Sequence, residues 1–177
     1  IRDIGKYTDA CKGQDAVIFL ASISKEQMCQ DSPELAFSVN QAHISPLVMS
    51  ARKSGVRRFI YASSVAVYGT LDGKEDGPVA PTTIYGRGKV AAEQEVMACK
   101  SDEFICTVTR SASVCGYSVH QRLDLTVNMM VHDACRRNLI RVNGGPQKRS
   151  HIHIKDICRA YRMLLESPRE KIAGHAF

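Results

Sequence analysis

The chain has 177 residues, 44% of them hydrophobic and 24% charged, proportions typical of a soluble globular protein with one domain. No apolar run approaches the length of about 20 residues that a membrane-spanning helix needs, and no signal-peptide pattern opens the chain, so no membrane contact is predicted. The net charge of +6 could indicate a nucleic-acid partner, but the Lys and Arg residues are dispersed, and a small polyanion such as a nucleotide diphosphate explains the charge equally well.

The cysteine pattern argues against a disulfide framework and a zinc site. The seven cysteines are scattered and form no C-x-x-C pair, which predicts reduced thiols in a cytoplasmic protein. His151 and His153 alternate on a predicted strand without an evident third ligand, so we predict no metal site.

Strands and helices alternate along the chain, which is typical of an open parallel α/β sheet. Buried strands are predicted by the apolar runs at residues 15–21, 58–63 and 104–110, and shorter strands at 140–142 and 151–154. Helices are predicted at 33–54, 83–100, 125–138 and 156–166, the first of them ended by Gly55 and kinked or interrupted at Pro46. A loop rich in Gly, Asp and Pro runs from 69 to 81.

Three polar or small segments follow the main predicted strands. They are Leu20-Ala21-Ser22, Ser63-Ser64, and the segment from Arg110 to Ser113. Ligands of open α/β sheets bind beyond the carboxyl ends of the strands, so these segments predict a site without defining its chemistry.

Tyr85 and Lys89 are the strongest candidates for that chemistry. Residues four apart share one face of a helix, so the ammonium of Lys89 would lie beside the phenol of Tyr85 and lower its pKa below the usual value of about 10. A hydroxyl from Ser64 could then hold the substrate oxygen that the phenolate deprotonates. Taken alone, the spacing is a weak signal, and the pair could equally be a solvated helix face.

Six segments in order resemble the extended short-chain dehydrogenase/reductase family, in its branch of NAD-dependent nucleotide-sugar epimerases and dehydratases. They are Asp15-Ala-Val-Ile-Phe-Leu-Ala21, Asn40, Arg57-Arg-Phe-Ile-Tyr-Ala-Ser-Ser64-Val-Ala-Val-Tyr-Gly69, Tyr85-Gly-Arg-Gly-Lys89 with Glu93, Arg110-Ser-Ala-Ser-Val-Cys-Gly116, and Arg149-Ser-His-Ile-His153-Ile-Lys-Asp156. The chain departs from the family pattern at Gly88, where serine is common, and at Ser113, where the family has asparagine.

The resemblance implies a Rossmann-like, doubly wound parallel sheet with part of a smaller substrate-binding region. Residues 1–116 would form part of the NAD-binding domain with the catalytic residues, and 117–177 would combine substrate-binding segments with the last sheet elements. The family's G-x-x-G-x-x-G phosphate-binding motif does not occur in the chain. We therefore expect a piece of a longer protein that needs its other segments for full activity.

The resemblance also implies a role for individual residues. The catalytic residues would be Ser64, Tyr85 and Lys89. The residues that bind NAD, or NADP, between which the sequence does not decide, would be Leu20, Ala21, Ser22, Asn40, Ser63, Tyr85 and Lys89. The residues that bind a nucleotide sugar would be Ser64, Ser113, Asn128 and Arg149, the last because a guanidinium suits phosphate oxygens.

The implied reaction is epimerisation of a nucleotide-diphosphate sugar at C4. Dehydratases of the family carry Asp and Glu where this chain has Val65 and Ala66, which cannot exchange protons. Two alternatives stay open: an NAD(P)-dependent dehydrogenase or reductase of a small alcohol or ketone, and a non-catalytic nucleotide- or RNA-binding relative. The family also implies a homodimer through the helices at 33–54 and 83–100.

Overall fold

The computed structural model describes residues 2–177, and their packing divides the chain into two compact units. The first unit contains residues up to Arg110 and the segment Arg162–Phe177, and the second contains Ser111–Tyr161. The sequence-based division between residues 116 and 117 stays a prediction. No helix in the described part of the chain has the length and apolarity needed to cross a membrane.

The first unit is built on a three-stranded sheet in the order β1-β2-β3. The strands are β1 (Ala16–Phe19), β2 (Arg58–Ser64) and β3 (Ile105–Ser111). β1 and β2 are parallel, with Phe19 opposite Tyr61, so both strands end at the same edge. The C-terminal residues extend this sheet through a parallel bridge between Val108 and Ala176.

The rest of the first unit is largely helical. Its helices and helical turns are α1 (Ile4–Cys11), α2 (Glu26–Asp31), α3 (Pro33–Phe37), a π-helical turn (Ser38–Ala42), α4 (Ile44–Lys53), a 3₁₀ turn (Val65–Tyr68), α5 (Ile84–Ala98), the residues of α7 (Ile154–Glu166) from Arg162 onward, and α8 (Arg169–Ile172). The second unit contains β4 (Ser113–Cys115), α6 (Thr126–Arg137) and β5 (His151–His153), and β4 pairs in parallel with β5.

The hydrophobic core of the first unit lies between the sheet and the helices α4 and α5. The Phe19 ring stacks between those of Phe59 and Tyr61, at centroid distances of 6.0 and 6.2 Å. Val48 and Val96, fully buried, contribute from the two helices. This packing holds α5 against the central strand, which places the Tyr85 and Lys89 helix next to the end of β2.

Most predicted elements are confirmed, including the parallel α/β architecture and the strands β1, β2, β3 and β5. The helix predicted at 33–54 is interrupted, because the chain forms α3, the π turn and α4 in succession. The break lies at the π turn and His43, before α4 begins. Pro46 is the third residue of the continuous α4, a position where a missing N–H costs no helical hydrogen bond, so the interruption precedes Pro46 and is not at the predicted position. Gly55 adopts a φ of 92° directly after the helix, as its predicted role as a terminator requires.

The strand predicted at 140–142 is wrong. Ile140 and Val142 are 56% and 61% exposed, and the segment pairs with no strand in the described chain. Two β-branched residues, Ile140 and Val142, alternate around Arg141 and therefore resemble a strand locally without a neighbour to complete it. The helices α1, α2 and α8 and the strand β4 were not predicted, and α7 begins two residues before Asp156.

Candidate active site

The carboxyl ends of β1 and β2 present the segments predicted to bind a cofactor. Leu20 and Ala21 are exposed directly after β1, with Leu20 at 62%, and Ser22 is partly buried. Ser64 closes β2 and is partly buried. Because the two strands are parallel, these residues lie at one edge of the sheet, as the sequence predicts.

Lys89 is an almost completely buried ammonium on α5. Its side chain lies in the core with a residue exposure of 2%, and Nζ donates a hydrogen bond to the Ala62 carbonyl oxygen at 2.7 Å. Nζ is 4.6 Å from the centre of the Tyr61 ring and 5.6 Å from that of Tyr85. Burial lowers the pKa of Lys89 to about 8, an effect that the nearby Glu93 carboxylate opposes.

Ser64 is held at the start of the 3₁₀ turn that follows β2. Its Oγ accepts a hydrogen bond from the Ala66 N–H at 3.2 Å, which leaves the hydroxyl proton available for a ligand oxygen. α5 approaches this turn closely at Gly86, where an added Cβ would come within 2.7 Å of the Ala66 carbonyl oxygen. The first turn of α5, which carries Tyr85, therefore lies against the turn that Ser64 opens.

The N-terminus of α5 is capped from two directions. Thr83 is the N-cap, and its Oγ1 accepts the Gly86 N–H at 2.9 Å. The carboxylate of Glu26, on α2, accepts the Ile84 N–H at 3.0 Å and the Tyr85 N–H at 3.1 Å. Sequence reasoning missed Glu26, because nothing in the sequence indicates that a residue 59 positions earlier reaches this helix end.

A buried ion pair joins the middle of α5 to the end of β3. Arg110 contacts both carboxylate oxygens of Glu93, with Nη2 2.8 Å from Oε2, and the two side chains are 12% and 9% exposed. The same guanidinium donates to the Tyr68 hydroxyl and to the Glu75 carbonyl oxygen, both at 3.1 Å. Ser63 donates its hydroxyl to Glu93, so its predicted contact with a cofactor stays a prediction.

Asn40 fixes the segment that follows β1. Its Oδ1 accepts hydrogen bonds from the Ser22 hydroxyl at 3.0 Å and the Ile23 N–H at 2.9 Å, and its Nδ2 donates to the Ile23 carbonyl oxygen at 2.9 Å. Asn40 is 3% exposed and lies opposite Gly88, whose added Cβ would be 3.5 Å from the Asn40 Cβ. The structure thus gives Asn40 a defined supporting role beside the predicted cofactor segment.

A cavity of about 490 Å³ opens beside the 3₁₀ turn. Val65 and Tyr68 form the side nearest Ser64 along the chain, and Lys74, Glu75 and Asp76 come from the loop that follows. Gly73 in this loop lies against the Tyr68 ring, where a Cβ would meet ring atoms at 2.3 Å. The cavity therefore has an apolar wall at Val65.

Three of the four predicted substrate residues lie in the second unit, while Ser64 lies in the first. Ser113 is exposed at the start of β4, and Arg149 is exposed in the loop before β5. Asn128 is 9% exposed, accepts the Gly116 N–H at 3.1 Å and donates to the Arg122 carbonyl oxygen at 3.2 Å, so its amide orders the loop between β4 and α6. Substrate binding by these three residues stays a prediction.

Known protein sequences resemble this chain. The model of the NAD dependent epimerase/dehydratase family matches residues 1–177. A dTDP-D-glucose 4,6-dehydratase of Mus musculus is 32% identical over 124 residues, which are 67% of this chain and 34% of that protein. An N-acetyl-alpha-D-glucosaminyl-diphospho-ditrans,octacis-undecaprenol 4-epimerase of Escherichia coli O157:H7 is 32% identical over 96 residues, or 53% of this chain and 28% of that protein.

The fold also agrees with solved structures. The structure of MoeE5 in complex with UDP-glucose and NAD superposes with a TM-score of 0.82 and 28% identity, over 98% of this chain and 59% of that one. The chain spans about half or less of the length of the curated relatives it matches.

Proposed function

Because the chain belongs to the NAD dependent epimerase/dehydratase family, we propose that it carries the catalytic half of a nucleotide-sugar 4-epimerase. The observation that carries this proposal is the buried Lys89 ammonium beside Tyr85, at the edge of the sheet where Ser64 ends β2. Burying an ammonium is costly, and the hydrogen bond of Lys89 goes to a neutral carbonyl oxygen, so its presence here supports a role in chemistry.

The residues present fit NAD at this edge of the sheet. Among residues 2–177, the Lys89 ammonium makes its hydrogen bond to the Ala62 carbonyl, which leaves two N–H donors for ribose hydroxyls. Leu20 and Ala21 leave an open surface after β1, and Asn40 holds the backbone behind them. When bound, NAD supplies a hydride acceptor that later returns the hydride to the same sugar carbon.

The protein's own residues then move one proton in each direction. The Tyr85 phenolate takes the proton of the sugar C4 hydroxyl during oxidation and gives it back during reduction, so the cycle consumes no proton and no net reductant. The positive charge of Lys89 favours the phenolate form of Tyr85, and Ser64 donates a hydrogen bond to the same sugar oxygen. Rotation of the ketone between the two steps would invert the configuration at C4.

Epimerisation is favoured over dehydration by the residues at the 3₁₀ turn. Elimination of water across C5 and C6 needs a base at C5 and an acid at the C6 hydroxyl, and by family resemblance these groups would stand at the positions of Val65 and Ala66. An isopropyl and a methyl group cannot donate or accept a proton. Relatives named as dehydratases and as an epimerase both match the chain, so this difference in side chains is the basis of the finer assignment.

The proposal extends to the substrate and to the partner chain. Ser113, Asn128 and Arg149 would bind the nucleotide diphosphate, and Arg149, exposed in its loop, offers a guanidinium for phosphate oxygens.

The intact protein would form a homodimer through the α3–α4 region and α5. Gel filtration at micromolar concentration tests this, and a monomer would contradict it.

The experiment that tests the proposed function is turnover by the full-length protein. UDP-, dTDP- and GDP-hexoses are incubated with the protein and catalytic NAD, while absorbance at 340 nm and the sugar products are followed. Formation of the C4 epimer without net NADH supports the epimerase. Stoichiometric NADH indicates a dehydrogenase, loss of water indicates a dehydratase, and salt-sensitive retention of RNA without turnover indicates the non-catalytic alternative.

A further inference from the structure

We infer that Glu26 is a positioning residue for Tyr85, and that it couples the segment after β1 to the catalytic helix. This inference rests on the proposed function, because it assigns Glu26 a part in the reaction that Tyr85 would carry out. Glu26 accepts hydrogen bonds from the backbone N–H groups of Ile84 and Tyr85, so it acts through the backbone of α5.

The Glu26 carboxylate hydrogen-bonds the first turn of α5. The two oxygens of Glu26 accept the N–H groups of Ile84 and Tyr85, which are the first two residues of α5. The first N–H groups of a helix have no partner within the helix, and a carboxylate at this end also complements the helix dipole. With the Thr83 cap on Gly86, three consecutive amides of the first turn are hydrogen-bonded by side chains.

The Glu26 carboxylate belongs to the stretch of chain that follows β1. Glu26 begins α2 directly after the segment that leaves β1, and it lies three residues beyond Ile23. Both backbone polar groups of Ile23 are hydrogen-bonded to Asn40, and the Cys29 thiol also donates to the Ile23 carbonyl oxygen at 3.5 Å. The segment that follows β1 is thus anchored at Ile23 by two hydrogen bonds to Asn40, and three residues later Glu26 hydrogen-bonds the amide of Tyr85.

This connection restricts the movement of Tyr85. Tyr85 lies in the first turn of α5, where helices fray most readily, and a phenol must be placed within hydrogen-bond reach of the reacting oxygen. Anchoring the Tyr85 amide removes that freedom. Since the predicted cofactor segment 20–22 and Glu26 belong to one stretch of chain, ordering of that stretch by NAD would be transmitted to Tyr85.

The structure contains a matched control for this contact. Glu95 also uses a carboxylate oxygen to accept a first-turn amide of another helix, the Ser45 N–H of α4, at 3.1 Å. α4 carries none of the predicted catalytic residues. Glu26→Gln and Glu26→Ala can therefore be compared with Glu95→Gln and Glu95→Ala, which remove the same type of contact elsewhere.

The test uses the full-length protein with two readouts. Hydrogen exchange of the peptide covering 83–88 is expected to be faster in Glu26→Ala than in wild type, with Glu26→Gln between them because an amide oxygen still accepts one N–H. kcat is expected to fall about tenfold or more in Glu26→Ala, with partial rescue in Glu26→Gln and little change in KM, because Glu26 acts through the backbone of α5. The Glu95 variants are expected to lower the melting temperature and leave kcat unchanged.

Two results would overturn the inference: unchanged exchange at 83–88 in Glu26→Ala, or kcat losses that match in the Glu26 and Glu95 variants. If the wild-type protein turns over no nucleotide sugar, the proposed function fails, while the exchange readout still decides whether Glu26 holds Tyr85.

Discussion

The ammonium of Lys89 lies 5.6 Å from the centre of the Tyr85 ring while donating a hydrogen bond to the Ala62 carbonyl at the end of the central strand. The Lys89 side chain thus connects the sheet to Tyr85, for which the sequence predicts a catalytic role. The charge is buried, which strengthens its effect on a neighbouring phenolate relative to the same pair in water. The predictions below follow from this arrangement and from the contacts that support it.

Tyr85→Phe is expected to lower kcat by about 10²- to 10⁴-fold, the range typical for loss of a general acid or base. The fold should persist, because only the hydroxyl is removed. Tyr117→Phe is the matched control, since Tyr117 is 85% exposed and lies outside the first unit. Steady-state rates of sugar conversion for the two variants give the comparison. Equal rates for Tyr85→Phe and wild type would remove Tyr85 from the mechanism.

The stability of the ligand-free protein should depend on pH through Lys89. Its pKa is about 8 in the folded protein, against an ordinary value of 10.5, because burial disfavours the charged form. Below pH 8 both states are protonated and the folded state carries the full cost of the buried charge. Between pH 8 and 10.5 only the unfolded chain keeps the proton, so the free energy of unfolding should rise by up to about 3 kcal/mol.

Lys89→Met isolates this contribution from the other groups that titrate at alkaline pH. Urea denaturation of wild type and variant is compared at pH 7.5 and 10.5. The variant is expected to be the more stable at the lower pH, by a margin that shrinks as the pH rises. A margin independent of pH would show that Lys89 is not desolvated in the folded protein.

Breaking the buried Glu93–Arg110 pair should destabilise the protein strongly. Glu93→Gln leaves the Arg110 guanidinium buried without its counter-charge, which costs about 3 kcal/mol. Arg57→Gln is the comparison, because the Arg57–Asp15 pair has a similar distance of 2.7 Å with side chains 76% and 83% exposed, and such pairs contribute at most about 1 kcal/mol. Similar losses in the two variants, measured by urea denaturation, would contradict the structure.

Two glycines of α5 should respond in opposite ways to alanine. At Gly86 a Cβ would lie 2.7 Å from the Ala66 carbonyl oxygen, so Gly86→Ala should move α5 from the 3₁₀ turn, cost about 1–3 kcal/mol and reduce kcat. At Gly88 the nearest contact is an ordinary 3.5 Å, so Gly88→Ala should add about 0.5–1 kcal/mol through helix propensity. Thermal unfolding of both variants checks the pair. Stabilisation by both would show that the close approach at Gly86 does not exist.

The sequence predicted the elements whose signal is local. The strand at 58–63 and the helix with Tyr85 and Lys89 are confirmed, because buried strands and helices of this length have local sequence patterns of their own. Family resemblance added the candidate roles of Ser64 and Asn40. The strand at 140–142 failed because strand formation depends on a partner that local sequence does not show.

The supporting contacts of the site could not be predicted in the same way. Glu26 reaches Tyr85 across 59 positions, and Arg110 reaches Glu93 across 17, so both contacts depend on how the elements pack. The sequence predicts that Glu93 lies on the helix and Arg110 at the end of a strand. Only the fold shows that they form a buried pair, in which Ser63 donates a hydrogen bond to Glu93 and Arg110 donates one to the Tyr68 hydroxyl.

The most direct test of the central claim follows the hydrogen on the reacting carbon. A nucleotide hexose labelled with deuterium at C4 is converted by the full-length protein in ordinary water, and the product is analysed by NMR and mass spectrometry. The account predicts the C4 epimer with deuterium retained at C4, and no conversion by Tyr85→Phe. A dehydrated product carrying the label at C6, or label accumulating in free NADH, would contradict it.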